Sequence, residues 1–204
     1  MSLSSKLIAE LVSKGEAGEP LGINIVPSPN VDEISKSGES SISLRLGRWF
    51  LSMKQNNQTH LDVLPSQENI KSETAIVKKH FVPFGDHFIV HPGRFVLAST
   101  LEWVTLPINL AGYVTGKSTL GRRGIVIETA AGVHPSFSGC LTLEIANVGE
   151  VPVSLRPGMV ICQLFLHEVS GETVSSRTSL SGRRRPVLGT IKPDRVLSSL
   201  SRKK

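Results

Sequence analysis

Apolar positions recur in two rhythms along this chain. Near the start, Leu3, Leu7, Ile8, Leu11 and Val12 fall on one stripe, which predicts an amphipathic helix over residues 3–14 ended by Gly15. Residues 15–40 are rich in Gly, Pro, Ser and Asn and read as loop, with a short strand at Ile23–Val26. From Ser41 the period becomes two. Ser41–Met53 alternates before Gly47, a strand with a bulge or bend at the glycine. Residues 55–72 are polar and read as a surface loop. Short strands follow at His87–Val90, Arg94–Leu101, Leu110–Val114, Ile125–Thr129, Cys140–Asn147, Val151–Leu155 and Met159–His167, separated by Gly and Pro turns. Gly116–Gly124 reads as a loop or short helix. Strands about 10 residues apart predict an all-β sandwich or barrel.

Composition agrees with that class: 18 Gly and 12 Pro punctuate 204 residues, and apolar residues make up 39%. The charge is uneven. Nine of the 23 Lys and Arg, but one of the 17 Asp and Glu, lie at or beyond Arg177, so a local +8 follows a body of −2. The chain therefore divides into a β domain over 1–176 and a basic tail over 177–204. The ten aromatics (Phe 7, Trp 2, Tyr 1) all precede the tail, so basic residues are not interleaved with rings and no stable nucleic-acid partner is expected. Neither a membrane span nor a signal peptide is legible, and a cytoplasmic location is expected. Cys140 and Cys162 match no zinc spacing and sit in apolar runs; buried thiols are expected, with one disulfide between adjacent strands as the alternative. His87 and His91, four apart across a strand and turn, are not expected to converge on a metal. Trp49 and Trp103 read as core or interface anchors.

Two stretches carry candidate chemistry. In Cys140–Asn147, alternation puts Leu141, Leu143 and Ile145 on the core face and Cys140, Thr142, Glu144 and Ala146 on the other. Glu144 is then either a solvated glutamate or a pocket carboxylate able to shuttle protons. The stretch Gly116-Lys117-Ser118-Thr119-Leu120-Gly121-Arg122-Arg123-Gly124 holds three glycines, two hydroxyls and three cations. That composition fits an anion cradle as well as a plain basic turn. It lacks the Walker order.

Taken together and in order, GKSTLGRRG, TAAGVHPSFSG, CLTLEIAN and LRPGMVICQLFL resemble the dCTP deaminase and dUTPase superfamily, closest to the deaminase branch. HPGRFVLASTLEWVTLPINLAGYVTG resembles the deaminase pattern upstream, and the likeness covers roughly residues 40–168. The resemblance implies a distorted jelly-roll, dUTPase-like β-barrel, assembled as a homotrimer with sites between subunits. It implies metal-independent hydrolytic deamination of dCTP to dUTP and ammonia. Glu144 matches the catalytic glutamate, Arg122 the arginine and Ser118 the serine. Lys117, Ser118, Thr119 and Gln163 match the phosphate-binding positions, Glu128 to Ala130 the backbone that reads the exocyclic amine, and His134 the sugar position. No protein-bound cofactor is implied; Mg2+ would accompany the triphosphate.

The match is not complete. His134 stands where the family has aspartate, Gly132 where deaminases often carry arginine, and Lys117 where they carry arginine. The tail lacks the family's tyrosine, lysine and glutamine cluster, and Arg183-Arg184-Arg185 is its nearest substitute. These departures keep two alternatives open: a dUTP-cleaving or bifunctional relative, and a non-catalytic nucleotide-binding regulatory member. dUTP and dTTP stand beside dCTP as candidate ligands. The basic tail, residues 177–204, is expected to be poorly ordered until a triphosphate draws it closed as a lid, with a solvated tail that never touches the site as the alternative.

Overall fold

The computed structural model describes residues 2–54, 76–128, 132–171 and 181–189, with Val196 and Ser199. The expected loop at 55–72 lies outside those residues. Helix α1 (Ser5–Glu16) is capped by Ser4, whose hydroxyl accepts the Leu7 N–H, and it buries Ile8, Ala9 and Val12. The predicted stripe is thus the packed face. A second helix, α2 (Val31–Ser37), stands in the stretch expected to be loop. Its two ends explain it better than any periodicity. The Asn30 side chain accepts the Glu33 N–H and donates back to Glu33 Oε1, a reciprocal cap. Gly38 closes the other end at φ 69°, a conformation that favours glycine.

Among the described residues there are ten strands, nine in the stretches named from the sequence pattern and one, β3, outside them: β1 (Asn24–Val26), β2 (Ser41–Met53), β3 (Val77–Phe81), β4 (Phe88–Val90), β5 (Phe95–Thr105), β6 (Leu110–Gly116), β7 (Ile125–Glu128), β8 (Ser138–Asn147), β9 (Val153–Leu155) and β10 (Val160–Glu168). The loop between β6 and β7 contains one helical turn, α3 (Ser118–Gly121). The main sheet runs β1-β5-β8-β7-β6-β10-β2-β3, and an added β5–β2 pairing joins it to itself. Strands β2, β5, β8, β7, β6 and β10 therefore form a closed antiparallel barrel, with β1 and β3 attached outside the closure. The expectation of an all-β barrel with a short N-terminal helix holds.

Closure needs irregularity in two strands. Register shifts occur in β2 between Leu46 and Phe50, and in β5 between Ser99 and Trp103. At the first, a Cβ on Gly47 would stand 2.7 Å from the Ser99 carbonyl, so only glycine lets the strands cross there. At the second, the Thr100 hydroxyl donates to the Glu102 carbonyl and accepts the Leu141 N–H, replacing ladder bonds that the bulge removes. The barrel interior is filled by Leu44, Leu46, Phe50, Ala98, Val104, Ile125, Leu143, Ile145, Ile161 and Leu164, all buried. The separate β4–β9 pair packs at one end, with Phe88 stacked on Phe50 at 4.5 Å.

Candidate active site

Cross-strand partners share a face, so register decides which outward side chains meet. The alternation predicted for β8 holds: Leu141, Leu143 and Ile145 are buried, and Glu144 is half-buried on the outer wall. Glu144 stands opposite Glu128 of β7, Glu128 opposite Thr115 of β6, Thr115 opposite Gln163 of β10, and Gln163 opposite Ser43 of β2. Two residues singled out 19 positions apart in the sequence thus fall on one row. With strands about 4.8 Å apart, three spacings put Glu144 and Gln163 about 14 Å apart along the wall. Directly opposed like charges cost stability, and the Glu128–Glu144 pair is a cost that the barrel itself does not require.

The glycine-bounded loop rises from the middle of this row, directly after Thr115 at the end of β6. Lys117 follows β6 and is tied down where its N–H donates to the Ile161 carbonyl at 3.2 Å. Ser118, Thr119 and Arg122 are exposed around α3. The turn is held by its backbone, Arg122 N–H to Ser118 O at 3.0 Å, and by Arg123 Nη1 donating to Thr119 O at 2.7 Å. Among the described residues the Ser118 and Thr119 hydroxyls and the Arg122 guanidinium have no hydrogen-bond partner, which leaves them available to an anion. His134 is exposed on a hairpin pinned to β6 by the reciprocal Val133–Gly112 bonds. Ala130 lies outside the described residues.

Several expectations need correction or refinement. Both cysteines are free thiols: Cys162 is buried, and burial pushes its pKa up to about 12, while Cys140 is half-buried, its thiol raised for the same reason. His87 and His91 are both exposed, and no group of three metal-ligating side chains occurs among the described residues. Trp49 and Trp103 are not core residues. They form the seat of the tail, with Arg185 3.9 Å above Trp49 and Arg184 5.1 Å from Trp103. Gly182 N–H donates to Ser138 O and Cys140 N–H to Arg183 O, at 2.7 and 2.9 Å. Residues 181–189 are therefore docked on the barrel, through backbone bonds as well as the two arginine–tryptophan contacts. The segment roofs a cavity of about 420 Å³ whose floor includes Leu51 and Lys79. Leu51 pairs with Leu97 and Leu97 with Glu144, so this seat begins two strand spacings, about 10 Å, from the glutamate.

Sequence reasoning passed over two carboxylates. Glu102 is buried, accepts the Arg45 N–H at 2.9 Å, and is pushed above the usual carboxylate range by desolvation. Glu39 reaches both Lys117 and Gln163. Nothing in the local pattern marks either one, since each acquires its role from residues far along the chain.

A profile of the dCTP deaminase-like family matches residues 3–169, most of the chain. The protein belongs to the dCTP deaminase-like family. Within it, the chain is 38% identical over 172 residues to the "dCTP deaminase, dUMP-forming" of Corynebacterium glutamicum, covering 83% of this chain and 82% of the relative. It is 40% identical over 172 residues to the protein of the same name from Nocardia farcinica, covering 83% and 78%. The crystal structure of 2′-deoxycytidine 5′-triphosphate deaminase from Agrobacterium tumefaciens superposes with a TM-score of 0.57 at 18% identity over 82% of this chain. That likeness establishes the shared fold, and this family member spans about half of that chain, 48%. No helix among the described residues of this dCTP deaminase-like protein is long and apolar enough to cross a membrane.

Proposed function

We propose that this chain hydrolyses dCTP in two steps, deamination at the base followed by cleavage between the α- and β-phosphates. In the first, a water adds to C4 of cytosine and ammonia leaves, giving the uracil ring. In the second, another water attacks the α-phosphorus and pyrophosphate leaves, so dCTP and two waters become dUMP, ammonia and pyrophosphate. The resemblance by itself led to dUTP as product; the relatives named as dUMP-forming move the proposal to dUMP. The observation that carries the reading is the outer row that lines up Glu144, Glu128 and Gln163 beside Lys117. It offers a carboxylate for proton transfer at one end and donors for phosphate at the other.

In this reading Glu144 takes the proton from the attacking water and returns it to the departing amine. Ser118 and Arg122 hold the water and meet the charge that develops at the ring, as preorganised donors do. Backbone groups from Glu128 to Ala130 read the exocyclic amine, His134 meets the sugar, and Lys117, Thr119 and Gln163 take the phosphates, with Mg2+ arriving as part of the substrate complex. Ser118 and Arg122 are exposed and Glu144 is half-buried, so one chain leaves the site open to water. A neighbouring copy in a homotrimer completes the enclosure; light scattering at micromolar concentration should return three chain masses. A second reading, deamination that stops at dUTP, is favoured by His134, because an imidazole replaces the carboxylate used by diphosphatases to activate water. Incubation with dCTP, dUTP, CTP and dCMP, followed by product identification, separates the two. dUMP from dCTP supports the proposal, dUTP alone supports the second reading, and no turnover of any of them removes both.

A further inference from the structure

One carboxylate engages both side chains at the phosphate end of the row. Glu39 Oε2 accepts from Gln163 Nε2 at 3.3 Å and lies 3.9 Å from Lys117 Nζ. Gln163 Nε2 also donates to the Ser41 hydroxyl at 3.1 Å, so the amide is held from two sides. Glu39 belongs to no strand and is delivered there by the exit of α2. The helix stops at Gly38 in the left-handed conformation, and the Ser37 hydroxyl accepts the Glu39 N–H at 3.0 Å while donating to Ile34 O at 2.9 Å. The backbone is fixed, and only the glutamate side chain, 50% exposed, is left to move.

An ion pair this open adds little to the stability of the fold. Its meaning is chemical. An ammonium and an amide N–H converging on a carboxylate are the donors that would converge on a phosphate, and the two anions compete for the same hydrogens. We propose that Glu39 is a built-in counter-anion of the phosphate cradle, occupying Lys117 and Gln163 until the triphosphate displaces it. The proposal rests on the reading that assigns those two residues to phosphate. Two consequences follow from the geometry. The empty cradle keeps its donors aimed, because Gln163 and Lys117 already have an acceptor. Every phosphate-bearing ligand must also expel Glu39, whereas a ligand without phosphates need not, so the carboxylate holds down affinity for anions and leaves the base site untouched.

The test uses the full chain and sodium tripolyphosphate, followed by calorimetry, with deoxycytidine as the ligand that does not reach the cradle. Glu39→Gln keeps the side-chain size and removes the charge, and Glu39→Ala serves as a second variant should the first fold poorly. Either is expected to bind tripolyphosphate about three- to fivefold more tightly, with deoxycytidine affinity unchanged. In turnover, KM for dCTP should fall by the same factor at constant kcat, which a merely structural role would not produce. In a Lys117→Gln background the gain should shrink, because the two residues act through one contact. Unchanged or weaker tripolyphosphate binding in the Glu39 variants overturns the proposal, as does the absence of binding to any of the proteins. Tighter tripolyphosphate binding without dCTP turnover would leave Glu39 as a counter-anion and remove only the deaminase reading.

Discussion

The docked tail offers a sharp test, because its contacts are few and can be removed singly. Arg185 sits 3.9 Å from the Trp49 ring centroid, beside a half-closed cavity. A cation–π contact in such a setting contributes about 1 kcal/mol. Trp49→Leu keeps apolar bulk at the seat and deletes the π face. Loss of about 1 kcal/mol raises the undocked population about fivefold, at 1.4 kcal/mol per factor of ten. Trypsin reads that population directly at the Arg183–Arg184 bond, provided that redocking outpaces cleavage. Cleavage there should accelerate about fivefold in Trp49→Leu. Trp49 also contacts Phe81 at 4.9 Å, and losing that ring pair should lower the melting temperature by about 2–4 °C in a chain of this size. Arg185→Gln separates the two effects: it should accelerate cleavage equally and leave the melting temperature in place. If neither variant is cleaved faster than the parent, the arginine–tryptophan stack does not hold the tail and the argument fails.

Glu144→Gln should lose about 10²- to 10⁴-fold in turnover while calorimetry still detects dCTP binding; near-normal turnover removes Glu144 as proton shuttle. His134→Asp, which restores a water-activating carboxylate, should raise the proportion of dUMP over dUTP released from dCTP, read by chromatography of the products. Glu102 is held above its ordinary pKa by burial, so its folded-state value exceeds the unfolded one. Its contribution is fully present below the unfolded value and is lost as pH rises through the folded one. Glu102→Gln can still accept the Arg45 N–H, and urea titrations should show its stability gaining on the parent as pH climbs out of the carboxylate range; a constant difference would mean that Glu102 is not titrating in the fold.

Local pattern was enough for elements whose causes are local. The stripe from Leu3 to Val12 became α1, and the alternation of β8 put Glu144 outside and Leu143 inside, because helix and strand periods are properties of neighbouring backbone. The motif loop and the strand after it were legible for the same reason, as contiguous runs. Helix α2 left a signal of another kind, an asparagine three residues before a glutamate and a glycine after the last turn, which a search for periodicity passes over in a seven-residue helix. Register and closure were not local. Whether Gln163 shares a row with Glu144 depends on which strands neighbour which, and the β2–β5 pairing that closes the barrel joins segments about fifty residues apart through two bulges. Trp49 read as a core or interface anchor, and only the tail, from more than 130 positions away, supplied its partner. Glu39 shows the limit most clearly: it meets Gln163 across 124 residues. A carboxylate's role is set by the donors within a few ångströms of it, and only the folded chain decides which donors those are.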